Sequence, residues 1–382
     1  MEISGGKTLL VDGPAAIKLL EGSVSVFGCR LKPRTTYVLR PWRRYPIYAL
    51  QDSKIEINPG TDSKATVVES GDTTCEWKQV VEKIEDKRML AVCGPIDSGK
   101  TSFTTLAANI FAEKHGQCVV VSLDPGQSYF TPPSVVGAAY LREPVHDLVM
   151  LKPFFQSPVG STSAAACAEA LAEAAEEIFK QIPKEFPVVV DVDGWVEGPL
   201  AVSHKTLVLK TLGCASAVIL GENFNQLKNA FSQAGIQVEE VNVSAYVKQR
   251  DQLERRKTRE WLYRKFLGKP TLKIIPSTWV ILETACKKID PLALLKESVE
   301  VLGKTSSEAT ASSEHATARK KTGLISYFYD SQNRYQGIGL FLGFNREKNG
   351  YKILSTVEKE IGKIVLGRIV LSEEGDEILQ LN

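Results

Sequence analysis

The chain has 382 residues, 43% of them apolar and 24% charged, with a formal net charge of +2. That length exceeds one ordinary domain and can fill substantial cores, so two or three globular domains are expected. The near-balanced charge says nothing about nucleic acid, so any basic footprint must be local. No apolar run reaches the length of a membrane span, and MEISGGKTLLVDG lacks a basic start followed by a long apolar stretch. Seven cysteines at 29, 75, 93, 118, 167, 214 and 286 show no CxxC and no paired spacing with the four histidines. This argues against a zinc site or disulfide framework and for a reducing interior. The expected location is intracellular, cytoplasmic in a prokaryote and nuclear in a eukaryote, with no membrane partner.

Residues 1–75 carry short strand-like runs (TLLV, SVSVFG, TYVL, KIEI) between Gly, Pro and Asp punctuation, which predicts a small N-terminal β domain. The charged stretches DSKATVVESGD and EDKR lead out of it. Residues 76–269 alternate apolar runs of strand length (MLAVC, CVVVSLD, FPVVVDVD, SAVILGEN) with helical segments, including an Ala-rich one over 162–180. Phe103, Leu106, Ala107, Ile110 and Phe111 share one helical face before Gly116 supplies a stop. Fully apolar strands alternating with helices predict an α/β domain with a parallel sheet covered on both faces. Residues 270–382 return to strand-like runs (LKIIP, WVIL, LISYFY, GIGLFLGF, KIVLGRIVL), predicting a C-terminal β-rich domain. A Ser/Ala/Thr-rich polar stretch near 304–321 interrupts it and reads as a mobile loop.

The motif GPIDSGKTS over 94–102 satisfies GxxxxGK[ST] and stands after a predicted strand and at the start of a predicted helix. In such a loop the backbone N–H groups of Gly94, Pro95, Ile96, Asp97, Ser98 and Gly99, where present, curl around phosphate oxygens at the positive end of a helix dipole. Lys100 reaches the terminal phosphates of a nucleotide, the Thr101 hydroxyl ligates magnesium, and Ser102 adds a hydrogen bond. Asp124, in LDPGQSYFTPP, ends the next strand, so its carboxylate emerges at the sheet edge that holds the phosphate loop. There it can join Thr101 as a ligand of the metal or orient a metal-bound water, accept the proton of an attacking hydroxyl, or simply shape the loop. VVVDVDGWVEG places Asp191, Asp193 and Trp195 at another strand end, where the indole is either a stacking platform or core. Residues 248–265 carry eight basic residues against three acidic, and Arg255, Arg256 and Arg259 lie at helical spacing. They can gather guanidinium groups for phosphate charge or form a solvated face.

These stretches together resemble the polynucleotide 5′-hydroxyl kinase family, which includes the RNA kinase subunit of the pre-mRNA cleavage factor and the kinases of ribosomal RNA processing. The likeness rests on GPIDSGKTS, the DPGQ with a following PP, DGW and the arginine-rich helix. The compact length is closer to that of the archaeal members. The resemblance implies ATP and Mg2+ as cofactors. Asp124 is then the base toward, or aligner of, a 5′-hydroxyl, with Gln127 supporting it and Trp195 clasping the terminal nucleotide beside Asp193. Arg255, Arg256 and Arg259 correspond to a lid over the transferred phosphoryl group, Arg44 lies near the adenine, and FFQSPVGSTS over 154–163 looks like a substrate loop of altered order. The implied activity is transfer of the γ-phosphate of ATP to the 5′-hydroxyl end of RNA, with DNA a second acceptor to be tested and RNA-processing proteins as partners. An ATP-bound scaffold subunit and an ATPase that uses water as acceptor are the alternatives.

Overall fold

A computed structural model of the chain describes residues 1–69, 71–84, 88–285, 289–298 and 321–381. The predicted mobile loop lies outside the described residues except for Lys321, as do Cys286 and most of the charged stretch EDKR. The chain forms two compact units, one made of residues 1–124, 137–155 and 175–258, the other of 125–136, 156–174 and 259–382.

The first unit begins with two antiparallel sheets. One pairs Glu2–Ile3, Ser53–Pro59, Ala15–Glu21 and Thr36–Leu39 in that order; the other runs Cys29–Arg30, Val24–Val26, Arg44–Ala49, Thr8–Asp12 and Lys64–Val68. In Ala15–Glu21 burial alternates along the strand, and Ile17, Leu19, Leu9, Val11, Tyr45, Ile47 and Ile55 are buried, as a two-sheet sandwich requires. The charged stretch read as leading out of this domain is instead the strand Lys64–Val68, paired antiparallel with Thr8–Asp12. Its exposed Lys64 and Ala65 belong to a sheet edge rather than to a linker. A helix, Cys75–Ile84, follows, with Trp77, Val81 and Ile84 buried.

The central sheet has seven strands in the order Pro153–Pro158, Val135–Leu141, Cys118–Leu123, Val188–Val192, Met89–Cys93, Ser216–Leu220 and Gln237–Val241. The last five pair in parallel and are linked through helices such as Lys100–His115 and Pro199–Thr211. The expected parallel sheet is present and is extended at one side by an antiparallel pair: Val135–Leu141 runs antiparallel to Cys118–Leu123. No helix lies between these two strands, so the chain turns back on itself, which antiparallel pairing alone permits. Met89–Cys93, fully buried, is the middle one of the five parallel strands and delivers the phosphate loop from its C-terminal end.

The helix Lys100–His115 is buried on several sides, with Phe103, Leu106, Ala108 and Phe111 solvent-free and Gly116 in the left-handed region ending it. Its buried Asn109 is satisfied: the amide donates to the carbonyls of Phe27 and Val145, both at 2.8 Å, and its oxygen accepts the Val145 N–H at 2.9 Å.

The second unit is organised on a seven-stranded sheet: Thr271–Pro276, Gly350–Ser355, Tyr335–Asn345, Thr322–Tyr329, Lys363–Ser372 and Ile281–Thr284, with Glu377–Gln380 added on Lys363–Ser372. Alternation along Thr322–Tyr329 sends Leu324 and Phe328 into one apolar core and Ile325 and Tyr327 into another, so both faces of this sheet are covered. Among the described residues no helix is long and apolar enough to cross a membrane.

Candidate nucleotide-binding site

The loop between Met89–Cys93 and Lys100–His115 holds its shape through glycine. Gly94 has φ 149°, and a Cβ there would lie 2.7 Å from the Leu220 carbonyl oxygen and 2.8 Å from Ser98 Oγ. Gly99 has φ 92°, and its Cβ would meet Val247 at 3.0 Å and Trp77 at 3.2 Å. Gly99 is also the N-cap of the helix, and no side chain bonds to the cap position. The N–H groups of Lys100 and Thr101 therefore have no capping side chain, while that of Ser102 donates to the Gly99 carbonyl at 2.9 Å. Within the loop Ser98 Oγ donates to the Pro95 carbonyl at 2.9 Å, Ile96 is 56% exposed, and Ser102 is half-buried in the first helical turn.

Lys100 is buried, and its Nζ donates to the Pro95 carbonyl at 2.7 Å. Burial lowers its pKa, opposed by the charges of Asp124 and then Asp191, and the net direction is downward. Asp124 is thus within electrostatic reach of the loop lysine, as its place at the end of Cys118–Leu123 requires. Thr101 Oγ1 donates to Asp191 Oδ2 at 2.9 Å. Asp191 is buried at the end of Val188–Val192, level with Val92 of the adjoining strand. The sequence reading paired Thr101 with Asp124 as metal ligands; the structure adds Asp191 as the carboxylate bonded to Thr101. Its sequence signal was a carboxylate closing an apolar strand, and strand order was needed to place it next to the loop.

Asp193 is buried and paired with Lys205, 2.7 Å away and fully buried on the helix Pro199–Thr211. Trp195 is half-buried, its N–H bonded to Asp193 Oδ1 at 2.8 Å and its ring stacked on His204 with centroids 5.8 Å apart.

The arginines divide. Arg255 Nη1 lies 3.2 Å from Asp97 Oδ2 in the phosphate loop, joined by Arg250, whose Nε donates to Asp97 Oδ1 at 2.8 Å. Gln249 Nε2 also donates to the Asp97 carbonyl at 3.2 Å. Arg250 precedes the helix Gln252–Leu267 and was read only as one charge in the basic run. Its part in the site comes from tertiary contact. Arg256 is exposed. Arg259 belongs to the second unit, where Glu377 takes its guanidinium in a two-point pair at 2.6 and 2.7 Å. Gln127 also belongs to the second unit, half-buried in the turn after Asp124. Arg44 makes a two-point pair with Asp12 at 2.7 and 2.9 Å, and its Nη1 lies 3.4 Å from the Tyr246 carbonyl. Phe154 of the predicted substrate loop stacks on Tyr140 at 4.4 Å, and Ser161 accepts a hydrogen bond from Gln380 at 2.7 Å.

A buttress lies behind the helix. Asp147 accepts Arg40 Nε at 2.7 Å, Arg43 Nη1 at 2.8 Å and the Tyr45 hydroxyl. Arg43 Nη2 reaches Thr105 Oγ1 at 3.3 Å, and that hydroxyl donates to the Thr101 carbonyl at 2.6 Å. Burial alone would raise the Asp147 pKa, but Arg40 and Arg43 hold it well below the usual carboxylate range.

The residues present fit a nucleoside triphosphate: two glycines whose Cβ atoms would close the cradle, an uncapped helix start and a buried lysine. They also fit a magnesium ion held chiefly by phosphate and water, since a hydroxyl and a carboxylate oxygen stand 2.9 Å apart. Among the described residues no group of three His, Cys, Asp or Glu side chains could hold a metal without such help.

The loop between a central parallel strand and a helix, with this lysine and threonine, defines a P-loop nucleotide-binding protein. Two family models match the chain: "mRNA cleavage and polyadenylation factor CLP1 P-loop" over residues 94–269 and "N-terminal beta-sandwich domain of polyadenylation factor" over 9–91. Together they span about two thirds of the chain, which carries the P-loop and N-terminal domains of the CLP1 family. Protein CLP1 homolog of Arabidopsis thaliana is 22% identical over 284 residues, covering 65% of this chain and 63% of that protein. The mRNA cleavage and polyadenylation factor CLP1 of Saccharomyces cerevisiae (strain S288c) is 25% identical over 150 residues, 37% of this chain and 33% of that one. The matched stretches thus cover less than two thirds of these relatives. A solved complex of Clp1p with Pcf11p has the same fold, with TM-score 0.70 at 15% identity over 96% of each chain. A second structure, from work on the Pcf11p–Clp1p interface and on ATP loss in a glycine-to-arginine mutant, gives 0.72 at 14% identity, covering 96% of this chain and 97% of that one.

Proposed function

We propose that the protein is an ATP-dependent polynucleotide kinase that phosphorylates the 5′-hydroxyl end of RNA. The observation that carries this reading is the charge cluster at one sheet edge: Lys100 in the loop, within the electrostatic reach of Asp124 and Asp191, and Asp191 bonded to Thr101. The cradle binds the triphosphate through the helix start and Lys100, which steadies the β- and γ-phosphates. Arg250 and Arg255, beside the loop on Asp97, supply guanidinium groups for charge that develops on the transferred phosphoryl group. Asp124 aligns the attacking hydroxyl and accepts its proton, while Trp195 stacks the terminal base. A bound magnesium ion, held by Thr101 and Asp191 with Asp124 near, would neutralise phosphate charge. Stacking and phosphate contacts read no sequence, so modest base preference is expected. RNA-processing proteins are the proposed partners, and the nucleus the proposed location if the organism is a eukaryote.

End-labelling tests this with ATP and matched 5′-hydroxyl RNA and DNA oligonucleotides. Transfer to RNA is expected, abolished in Lys100→Ala and Asp124→Asn proteins. A well-folded wild-type protein that transfers nothing sinks the kinase reading. The second reading, an ATP-bound scaffold, is favoured by the fold shared with Clp1p solved in complex with Pcf11p. It predicts retained nucleotide, negligible turnover and a stable protein partner.

A further inference from the structure

We infer that the helix Pro199–Thr211 is the positioning element for the base shelf of this site, with Lys205 setting the Trp195 backbone through Asp193 and His204 backing its ring. The inference rests on the proposed polynucleotide substrate. Lys205 is fully buried, and a buried lysine–aspartate pair stabilises a fold little compared with apolar residues of the same shape. Here both carboxylate oxygens of Asp193 are committed, Oδ2 to Lys205 Nζ at 2.7 Å and Oδ1 to the Trp195 N–H at 2.8 Å. The ammonium thereby fixes the start of the aromatic residue.

The intervening Gly194 presses on the phosphate loop: a Cβ there would lie 2.6 Å from Ile96 Cγ1 and 3.0 Å from the Ile96 nitrogen. Trp195 is therefore held at the rim of the cradle, one residue from a contact that leaves no room for a side chain. On the preceding helical position His204 lies against the indole, rings 29° from parallel. Its Nε2 is buried with no hydrogen-bond partner among the described residues. Burial, and then the Lys205 charge, lower its pKa, which favours a flat neutral ring over a cation. With one indole face occupied, a single unpaired nucleobase is the ligand class for the other.

The test uses the full chain and a 3′-fluorescein oligoribonucleotide with a 5′-hydroxyl, read by anisotropy, alongside binding of a fluorescent ATP analogue. His204→Ala and the double change Lys205→Met with Asp193→Leu, which replaces the ion pair by apolar groups, are each expected to weaken oligonucleotide binding about tenfold. KM for the oligonucleotide should rise in step, while affinity for the ATP analogue should change less than about twofold. Oligonucleotide binding equal to wild type in a folded variant would overturn the inference, as would a parallel loss of ATP affinity. If the double variant does not fold, His204→Ala decides alone. A wild type that binds the oligonucleotide without transferring phosphate sinks the kinase reading while the shelf is still judged by binding. A wild type that binds no oligonucleotide overturns the shelf.

Discussion

Two aspartates of the first unit each gather two arginines, Asp147 with Arg40 and Arg43 and Asp97 with Arg250 and Arg255. The first set is sealed: the arginine side chains are 12% and 11% exposed, and a tyrosine hydroxyl closes the cluster. In the second the arginines are 21% and 27% exposed and the aspartate stands in the phosphate loop itself. The same chemical pairing thus serves as a sealed brace in one place and as a contact whose arginines solvent reaches in the other. The difference is how much solvent can take over when the pair breaks, because a buried charge that loses its partner has no water to turn to, whereas a partly exposed one does.

The comparison breaks most readily at Asp147. Asp147→Ala should lower the unfolding free energy by about 3–5 kcal/mol, because two buried guanidinium groups lose their counter-charge. Urea melts would measure it, and a loss of only a few tenths would put the two clusters in the same class. Acid should then separate them further. The folded-state pKa of Asp147 lies below its unfolded value, so its contribution is complete above about pH 4 and is lost as pH falls through the lower folded value. Thermal melts between pH 5 and 2 should therefore show a shallower acid decline in Asp147→Asn than in wild type. The smallest effect is expected at the loop. Asp97→Ala should cost about 1 kcal/mol or less in stability and, by leaving Arg250 and Arg255 without that carboxylate, tighten ATP binding about threefold at low salt. Titration calorimetry would measure it; a tenfold weakening would instead make Asp97 a shaping residue of the cradle.

Much of this architecture was readable because apolar runs and punctuation are local. GPIDSGKTS announced the loop, Gly116 ended the helix it was expected to end, and MLAVC formed the central strand. Lys64–Val68 was misread since the edge strand KATVV, set among charged neighbours, lacks the alternation of apolar and polar residues that marks a half-buried strand. Val135–Leu141 left no sign of its direction, which depends on whether a helix intervenes. In the site, Lys100, Thr101 and Asp124 were legible from motif and strand end. Asp191 and Lys205 were not assigned roles, and Arg250 lay hidden in a run of charges.

The amino-acid order alone determined that a phosphate loop exists, which strand and helix carry it, and that β-rich segments flank it, because each of these follows from neighbours along the chain. Only the tertiary structure decided which carboxylate meets Thr101, which arginines reach Asp97, and that Lys205 holds the Trp195 loop. Those choices join residues 90, 153 and 12 positions apart through strand order and burial, and a short-range pattern carries no information about either.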